Sequence, residues 1–280
     1  MNLPPLDIRG LLHKHNLDPH KGLGQNFLVD DNALKLIVAC AELQGQETVL
    51  EIGAGLGSLT RHLAARAGKV TAVEIDRKLV PVLTEVTARF ANVEVRQGDI
   101  LELDPAKLMP EDGYVVVANI PYYITSAIIR HLLESSRRPS RIVLTMQQEV
   151  AERICAEPGD LSVLAVSVQV FGRPRIAAHI PAAAFYPAPK VDSATLVVDI
   201  YPQSFMNQRQ HDLFFTIVKM GFAQKRKMLR NTIAAGLHIP TDEASALLTR
   251  AGIDPTRRAQ TLELVEWRTL AGEVENSAQK

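Results

Sequence analysis

The residues best suited to chemistry are Asn119, Pro121 and Tyr122, in a tetrapeptide that directly follows an apolar run at residues 114–118. The amide oxygen of Asn119 and a main-chain carbonyl beside Pro121 can accept hydrogen bonds from an amino group, and Tyr122 can stack on a flat base. Such acceptors would bias the weakly nucleophilic amino group of adenine towards a methyl donor. The simpler interpretation, more common for an isolated Asn-Ile-Pro-Tyr, is a turn in which Asn119 caps a helix and Pro121 ends a strand.

Three other apolar runs are followed by groups that bind nucleosides. A G-x-G-x-G turn begins at Gly53, two residues after Glu51. The glycines of such a turn let the backbone approach a ligand and start a helix. Glu74 lies 21 residues after Gly53, where an acidic side chain can bind ribose hydroxyls, and Asp99 follows the third run. These ends meet at one edge of a parallel sheet, so they predict a nucleoside site. S-adenosylmethionine fits better than NAD, whose fingerprint is G-x-G-x-x-G.

Short apolar runs alternate with segments of helical periodicity, which predicts a doubly wound α/β sheet. The predicted strands are residues 48–52, 70–74, 93–96, 114–118, 141–146 and 195–200, and the helices between them are residues 58–67, 78–90 and 126–134. After residue 204 only amphipathic helices follow, at residues 211–222, 225–234, 242–251 and 261–271. We therefore predict a sheet domain at residues 1–203 and a small helical domain at residues 204–280.

Composition narrows the class of protein. The 280 residues have a formal net charge of zero, so attraction to a polyanion requires a local patch. Cys40 and Cys155 lie in apolar helical segments and are expected to be free thiols in a reducing compartment. The sequence shows no signal peptide, no membrane-length apolar run and no metal-ligand spacing among its eight histidines. A cytoplasmic, soluble protein without a metal is expected.

Six segments occur in the order characteristic of the ribosomal RNA adenine N6,N6-dimethyltransferase family, which the chain therefore resembles. Residues 222–231 are also similar to the signature of that family's helical domain, so the resemblance covers nearly the whole chain. Ala54 stands where the family commonly has Pro, and Tyr123 stands where it commonly has Asn. The six segments are residues 24–28, 51–60, 73–76, 98–99, 119–125 and 185–193.

The resemblance implies a Rossmann-like class I S-adenosylmethionine-dependent methyltransferase fold with a small C-terminal helical domain. It implies a catalytic site of Asn119, Pro121, Tyr122 and Phe185, in which Tyr122 and Phe185 sandwich an unpaired or flipped adenine. Phe185 has an alternative interpretation as a core aromatic before a Pro-rich turn. The cofactor S-adenosylmethionine is expected to contact Asn26, Leu28, Gly53, Glu74, Asp99 and Asn119.

Positive charge is concentrated in the carboxyl-terminal part of the chain. Residues 205–258 contain nine lysines and arginines but only four acidic residues. Such a charge run is usually a solvated helix face, yet a compact cluster can also meet RNA phosphates. The expected RNA-binding residues are Lys225, Arg226, Lys227 and Arg230.

The expected function is dimethylation at N6 of two adjacent adenosines near the 3′ end of small-subunit ribosomal RNA, on a pre-ribosomal small subunit and by a monomer. Three alternatives stay open at this point. They are a large-subunit adenine N6-methyltransferase of the macrolide-resistance type, a small-molecule methyltransferase, and a non-catalytic binding role in ribosome assembly.

Overall fold

The computed structural model describes residues 3–120, 124–202 and 206–278. The chain divides into two compact units, one formed by residues 1–151 and 173–200 and the other by residues 152–172 and 201–280. This division differs from the expected boundary at residues 203/204 because residues 152–172 belong to the helical unit. Apolar side chains of that segment, Ala165 and Val166 among them, are buried in the core of the second unit.

The first unit is built on a seven-stranded sheet with the order β4-β3-β2-β5-β6-β9-β7. Its central strands pair in parallel, β3 with β2 and β4, and β5 with β2 and β6, whereas β9 runs antiparallel to β6. A separate two-stranded sheet pairs β1 with β8. The strands are Phe27–Leu28 (β1), Thr48–Ile52 (β2), Lys69–Glu74 (β3), Val93–Gln97 (β4), Val115–Asn119 (β5), Arg141–Gln147 (β6), Gly172–Ile180 (β7), Phe185–Tyr186 (β8) and Ser193–Ile200 (β9).

The helices of the first unit connect these strands. Residues 48–52 form a strand as the sequence predicts, and the other five predicted strands agree within one or two residues at each end. Strand β7 was not predicted, because its mixed polar sequence lacks a long apolar run. The helices are Ile8–Lys14 (α1), Asp31–Cys40 (α2), Ser58–Ala64 (α3), Val80–Thr87 (α4), Pro105–Leu108 (α5), Thr125–Glu134 (α6) and Gln148–Ile154 (α7), which crosses into the second unit.

Local sequence fixes where two of these helices begin. The Asp30 side chain accepts a hydrogen bond from Ala33 N at 2.7 Å and so caps α2. Helix α3 instead begins after Gly57, whose φ of 87° needs a residue without a Cβ atom. These two helices bury Ile37 and Leu63 against the face of the sheet that contains Val49. The parallel strands are therefore covered by helices, which explains their near-continuous apolar sequences.

In the second unit, the regular secondary structure of the described residues is helical, apart from Gly172, which begins β7. The expected helix at residues 225–234 begins only at Leu229, because residues 225–228 form an exposed turn and Leu229 N donates to Arg257 O. The helices are Val163–Gln169 (α8), Gln208–Phe222 (α9), Leu229–Leu237 (α10), Thr241–Arg250 (α11) and Leu264–Ala278 (α12). Within the three described ranges, no helix combines the length and apolar character that a membrane crossing requires.

Trp267 of α12 is fully buried at the centre of this helical unit. Its ring stacks on Phe222 with 5.6 Å between centroids. A Cβ atom added at Gly221 of α9 would lie 2.3 Å from the Trp267 ring, so the glycine is what allows the ring to pack against α9. Gly272 of α12 has no heavy atom within 4 Å of such a Cβ atom.

We expect Gly221→Ala to destabilise the protein by about 1–3 kcal/mol, because the rigid Trp267 ring has to move away from α9. Gly272→Ala is the matched control, since it adds the same methyl group to a helix with free space and should stabilise by about 0.5–1 kcal/mol. Denaturant unfolding of both variants measures the difference. Equal midpoints for the two variants would contradict the packing described above.

Candidate active site

A cavity opens at the carboxyl ends of β2, β3 and β5. The cavity is lined by all six residues that were expected to bind the cofactor, namely Asn26, Leu28, Gly53, Glu74, Asp99 and Asn119. The parallel strands bring these residues together from distant parts of the sequence, as the edge of an α/β sheet does in general. Among the described residues, no group of three or more histidine, cysteine or acidic side chains could hold a metal ion.

The turn between β2 and α3 depends on its glycines. Gly53, Gly55 and Gly57 have φ angles of 72°, 59° and 87°. A side chain in this left-handed region is strained, and at Gly55 a Cβ atom would also lie 3.2 Å from the ring of Phe27. At Gly53 and Gly55 the turn therefore lines the cavity with backbone that carries no side chain of its own.

Glu74 is the most firmly held polar side chain of the cavity. It is 4% exposed, and its Oε2 accepts from Gly55 N at 2.6 Å while its Oε1 accepts from Asp76 N at 2.8 Å. Burial raises the pKa of this carboxyl, and the two main-chain donors partly offset that rise. Each oxygen retains a further lone pair for a ligand hydroxyl.

Asp99 stabilises a turn and also lines the cavity. Its Oδ1 accepts from Leu101 N at 2.9 Å, which is the capping contact of a turn. The residue also lines the cavity and is only partly buried. A carboxylate can accept several hydrogen bonds, so the turn and a ligand can use it together.

Asn119 has one orientation of its side-chain amide. Its Nδ2 donates to the main-chain oxygen of Asn26 at 3.2 Å. That partner is an acceptor, so it selects the nitrogen and makes Oδ1 the accepting end of the amide. The end of β5 is thus connected to a segment 93 residues earlier in the chain.

Glu51 is a cavity residue that the sequence reasoning did not assign to the site. It is 1% exposed, and neither its Oε2 nor the Thr60 hydroxyl has a hydrogen bond of normal geometry to another described residue. Burial raises the pKa of Glu51 to about 8, and the nearby Glu74 carboxylate adds to the rise while Thr60 lowers it. The sequence signal that could have identified Glu51 as a cavity residue is its position two residues before Gly53, the first glycine of the G-x-G-x-G turn.

Of the three residues expected to hold the base beside Asn119, the structure describes only Phe185. Pro121 and Tyr122 lie outside the described residues, as does Tyr123. Phe185 is 4% exposed, packs in the core of the first unit and does not line the cavity. Its direction follows from the pairing of β8 with β1, which sets Phe185 opposite Leu28 and turns Tyr186 the other way, against the Arg9 guanidinium. This is the position of a core aromatic, so stacking of Phe185 on a base stays a prediction that requires the ring to move.

The expected RNA-binding residues lie in the turn after α9 and at the start of α10. Lys225, Arg226 and Lys227 are exposed in the turn, and Arg230 is half-buried in the first turn of α10. No ion pair found within the described ranges involves any of the four. Their charges are therefore not neutralised by acidic side chains in direct contact.

Comparison with known proteins identifies the family. Residues 16–274 match the family described as ribosomal RNA adenine dimethylase. The chain belongs to this family. Ribosomal RNA small subunit methyltransferase A of Dehalococcoides mccartyi (strain ATCC BAA-2266 / KCTC 15142 / 195) is 42% identical over 261 residues, which cover 93% of this chain and 90% of that protein. The enzyme of the same name from Pelotomaculum thermopropionicum is 42% identical and covers 95% of each chain.

Two solved structures share the fold of this family member. A dimethyladenosine transferase from Plasmodium falciparum has a TM-score of 0.79 at 25% identity, covering 90% of this chain and 98% of that one. The 23S rRNA methyltransferase ErmE has a TM-score of 0.70 at 29% identity, covering 89% and 100%. The Rossmann-like methyltransferase fold with a helical second unit is thereby confirmed.

We expect the free energy of unfolding to fall with rising pH because of Glu51. Its pKa is about 8 in the folded protein and 4.5 when exposed, so the folded state holds the proton more tightly. The contribution is fully present below pH 4.5 and decreases by about 1.4 kcal/mol per pH unit up to about pH 8. Glu51→Gln imitates the protonated acid and should remove this slope.

Denaturant unfolding of wild type and Glu51→Gln from pH 5 to 9 measures the effect, since the variant should gain stability relative to wild type as the pH rises. Glu149→Gln makes the same change at an exposed position and should keep the wild-type slope. A slope in Glu51→Gln as steep as that of the control would show that Glu51 is not the group responsible.

Proposed function

We propose that this protein transfers methyl groups from S-adenosylmethionine to N6 of two adjacent adenosines near the 3′ end of small-subunit ribosomal RNA. The single observation that supports it most is the fixed amide of Asn119, whose Oδ1 is left as an acceptor beside a cavity that also presents Glu74 and Asp99. Relatives that are 42% identical over nearly the whole chain are named small-subunit methyltransferases. The product is N6,N6-dimethyladenosine.

The described residues fit S-adenosylmethionine. The second lone pairs of the Glu74 oxygens are suited to two ribose hydroxyls, because main-chain donors already fix the carboxylate in place. Asp99 would accept from the adenine amino group of the cofactor, and the exposed Ile75 would cover its ring. Gly53 allows close approach, while Asn26 and Leu28 would lie on the outer side. When bound, the cofactor supplies a methyl group activated by a positive sulfonium.

The chemistry assigned to this chain is positioning and polarisation. Asn119 Oδ1 would accept a hydrogen bond from the target amino group, which localises the nitrogen lone pair towards the methyl group. A main-chain carbonyl beside Pro121 would take the second N–H, and Tyr122 would stack on the base. No strong general base is required, because the nitrogen loses its proton readily once it is methylated.

The target adenosine has to be unpaired or flipped, since a base inside a helix cannot enter this cavity. The cluster Lys225, Arg226, Lys227 and Arg230 would bind phosphates of the RNA around it. We propose that the RNA is presented within a pre-ribosomal small subunit and that the enzyme acts as a cytoplasmic monomer. The charged turn disfavours a small-molecule methyltransferase. The relatives that are 42% identical are named small-subunit enzymes, whereas the large-subunit enzyme ErmE is 29% identical, and this difference disfavours a large-subunit enzyme.

Labelled methyl transfer to immature small subunits, large subunits and naked RNA, followed by mapping of the modified base, tests the substrate. We expect label on small-subunit RNA at adjacent adenosines, as N6,N6-dimethyladenosine. Label confined to large subunits would establish the large-subunit alternative. Binding of subunits and cofactor without transfer would indicate a non-catalytic role.

Asn119→Ala should lower kcat at saturating cofactor by about 100-fold, because it removes a preorganised acceptor at the reacting nitrogen. Asn32→Ala, at an exposed position of α2, is the matched control and should retain wild-type kcat. Single-turnover methylation with cofactor binding verified by calorimetry is the measurement. Near-normal turnover of Asn119→Ala with the cofactor bound would refute the mechanism.

Reversal of charge at two exposed positions, Lys225→Glu with Arg226→Glu, should weaken binding to the small ribosomal subunit and reduce the dependence of log K on log salt by about 2. The control, Arg66→Glu with Arg173→Glu, makes the same change in net charge at exposed positions of the first unit. Filter binding at several salt concentrations measures both slopes. If the two double variants lose affinity equally, the Lys225 cluster has no special role.

A further inference from the structure

Residues 20–28, here named the strap, pass over one side of the cavity. Within the strap, the side-chain amide of Gln25 is bonded at both ends. Its Oε1 accepts from His20 N at 2.8 Å, and its Nε2 donates to Asp76 Oδ2 at 2.9 Å. Because one end faces a donor and the other an acceptor, the amide cannot rotate by 180° without losing both hydrogen bonds.

Both side-chain oxygens of Asp76 also accept a hydrogen bond. Its Oδ1 accepts from Lys78 N at 2.9 Å, so Oδ2 is the oxygen that faces Gln25. The main-chain N–H of Asp76 donates to Glu74 Oε1. Asp76 therefore connects the strap, through its side chain, with the acid that is expected to hold the ribose, through its backbone.

The residue after Gln25 completes the connection. Asn26 O accepts from Asn119 Nδ2 at 3.2 Å and so selects the orientation of that amide. A displacement of the strap at Gln25 would move the Asn26 carbonyl, and the Asn119 amide would lose the partner that turns Oδ1 towards the ligand. The cofactor side and the base side of the cavity thus share one short segment.

We propose that Gln25 is a positioning residue, which acts through its hydrogen bond to Asp76 to hold the strap on the cavity and thereby sets both cofactor affinity and the orientation of Asn119. The inference rests on the proposed function, since it assigns Gln25 to the same site. The carboxyl-terminal end of the strap is anchored independently, by the pairing of β1 with β8 and by the Phe27 ring against Gly55. Changes at Gln25 should therefore loosen the strap and leave the fold intact.

The direction of the hydrogen bond between Gln25 and Asp76 can be reversed by exchanging the amide and the carboxylate between the two positions. Gln25→Glu keeps the acceptor for His20 N but places a carboxylate against Asp76 Oδ2. Asp76→Asn keeps the acceptor for Lys78 N but places an amide N–H against the Gln25 amide N–H. The double variant restores one donor and one acceptor in the opposite direction, with the same total charge as wild type.

Each single variant should weaken S-adenosylmethionine binding about tenfold or more, and should also lower kcat at saturating cofactor. The double variant should recover most of both. Calorimetry measures affinity, single-turnover methylation measures kcat, and thermal unfolding shows that the fold is kept. Gln46→Glu, an exposed change before β2 at the opposite edge of the sheet, is the control for charge and should match wild type.

Hydrogen exchange without cofactor gives a readout that does not depend on the activity. The amides of residues 20–26 should exchange faster in each single variant and return to wild-type rates in the double variant. Wild-type protein that neither binds the cofactor nor methylates RNA would refute the proposed function. Wild-type protein that does both, with single variants unchanged or a double variant no better than they are, would refute the role of Gln25.

Discussion

The buried carboxylate of Glu74 is the constraint on which the site depends. A carboxyl group that is 4% exposed needs hydrogen-bond partners, and here the main-chain N–H groups of Gly55 and Asp76 donate to its two oxygens. The first of these lies in the turn after β2 and the second in the turn after β3. The Glu74 side chain thus connects two turns at the edge of the sheet, and Gly55, which donates one of the two hydrogen bonds, has a positive φ angle of 59°.

A second layer of contacts connects that edge with the strap. The Phe27 ring lies 3.2 Å from the position that a Cβ atom at Gly55 would take, so the absence of a side chain serves the close packing of the strap as well as the approach of a ligand. Asn26 O then fixes the amide of Asn119 at the end of β5. The segment that contains Gln25 and Asn26 thus contacts both Asp76 and Asn119, and these are the two sides of the cavity that the proposed transfer by positioning would use.

The helical unit contains the cluster of positive charge that we propose binds RNA. The chain has no net charge, so attraction to RNA has to be local. The turn at residues 225–228 is exposed, while the residues on either side belong to helices whose apolar faces surround the buried Trp267. The lysines and the arginine of this turn therefore extend from a short backbone segment whose two ends are held by packed helices. Their side chains are long and flexible, but the position of the backbone that carries them is defined.

Local sequence determined much of this protein. The apolar runs located the parallel strands to within two residues, and the groups after each run, Gly53, Glu74, Asp99 and Asn119, were correctly expected at one edge because parallel strands end together. Tertiary structure alone decided which way side chains point and what they meet. The side chain of Phe185 turns into the core because a two-residue strand pairs with β1, and Gln25 meets Asp76 across 51 residues of sequence. Periodicity reports the environment of a residue along its own helix or strand, whereas contacts between distant segments depend on register and packing that only the folded chain possesses.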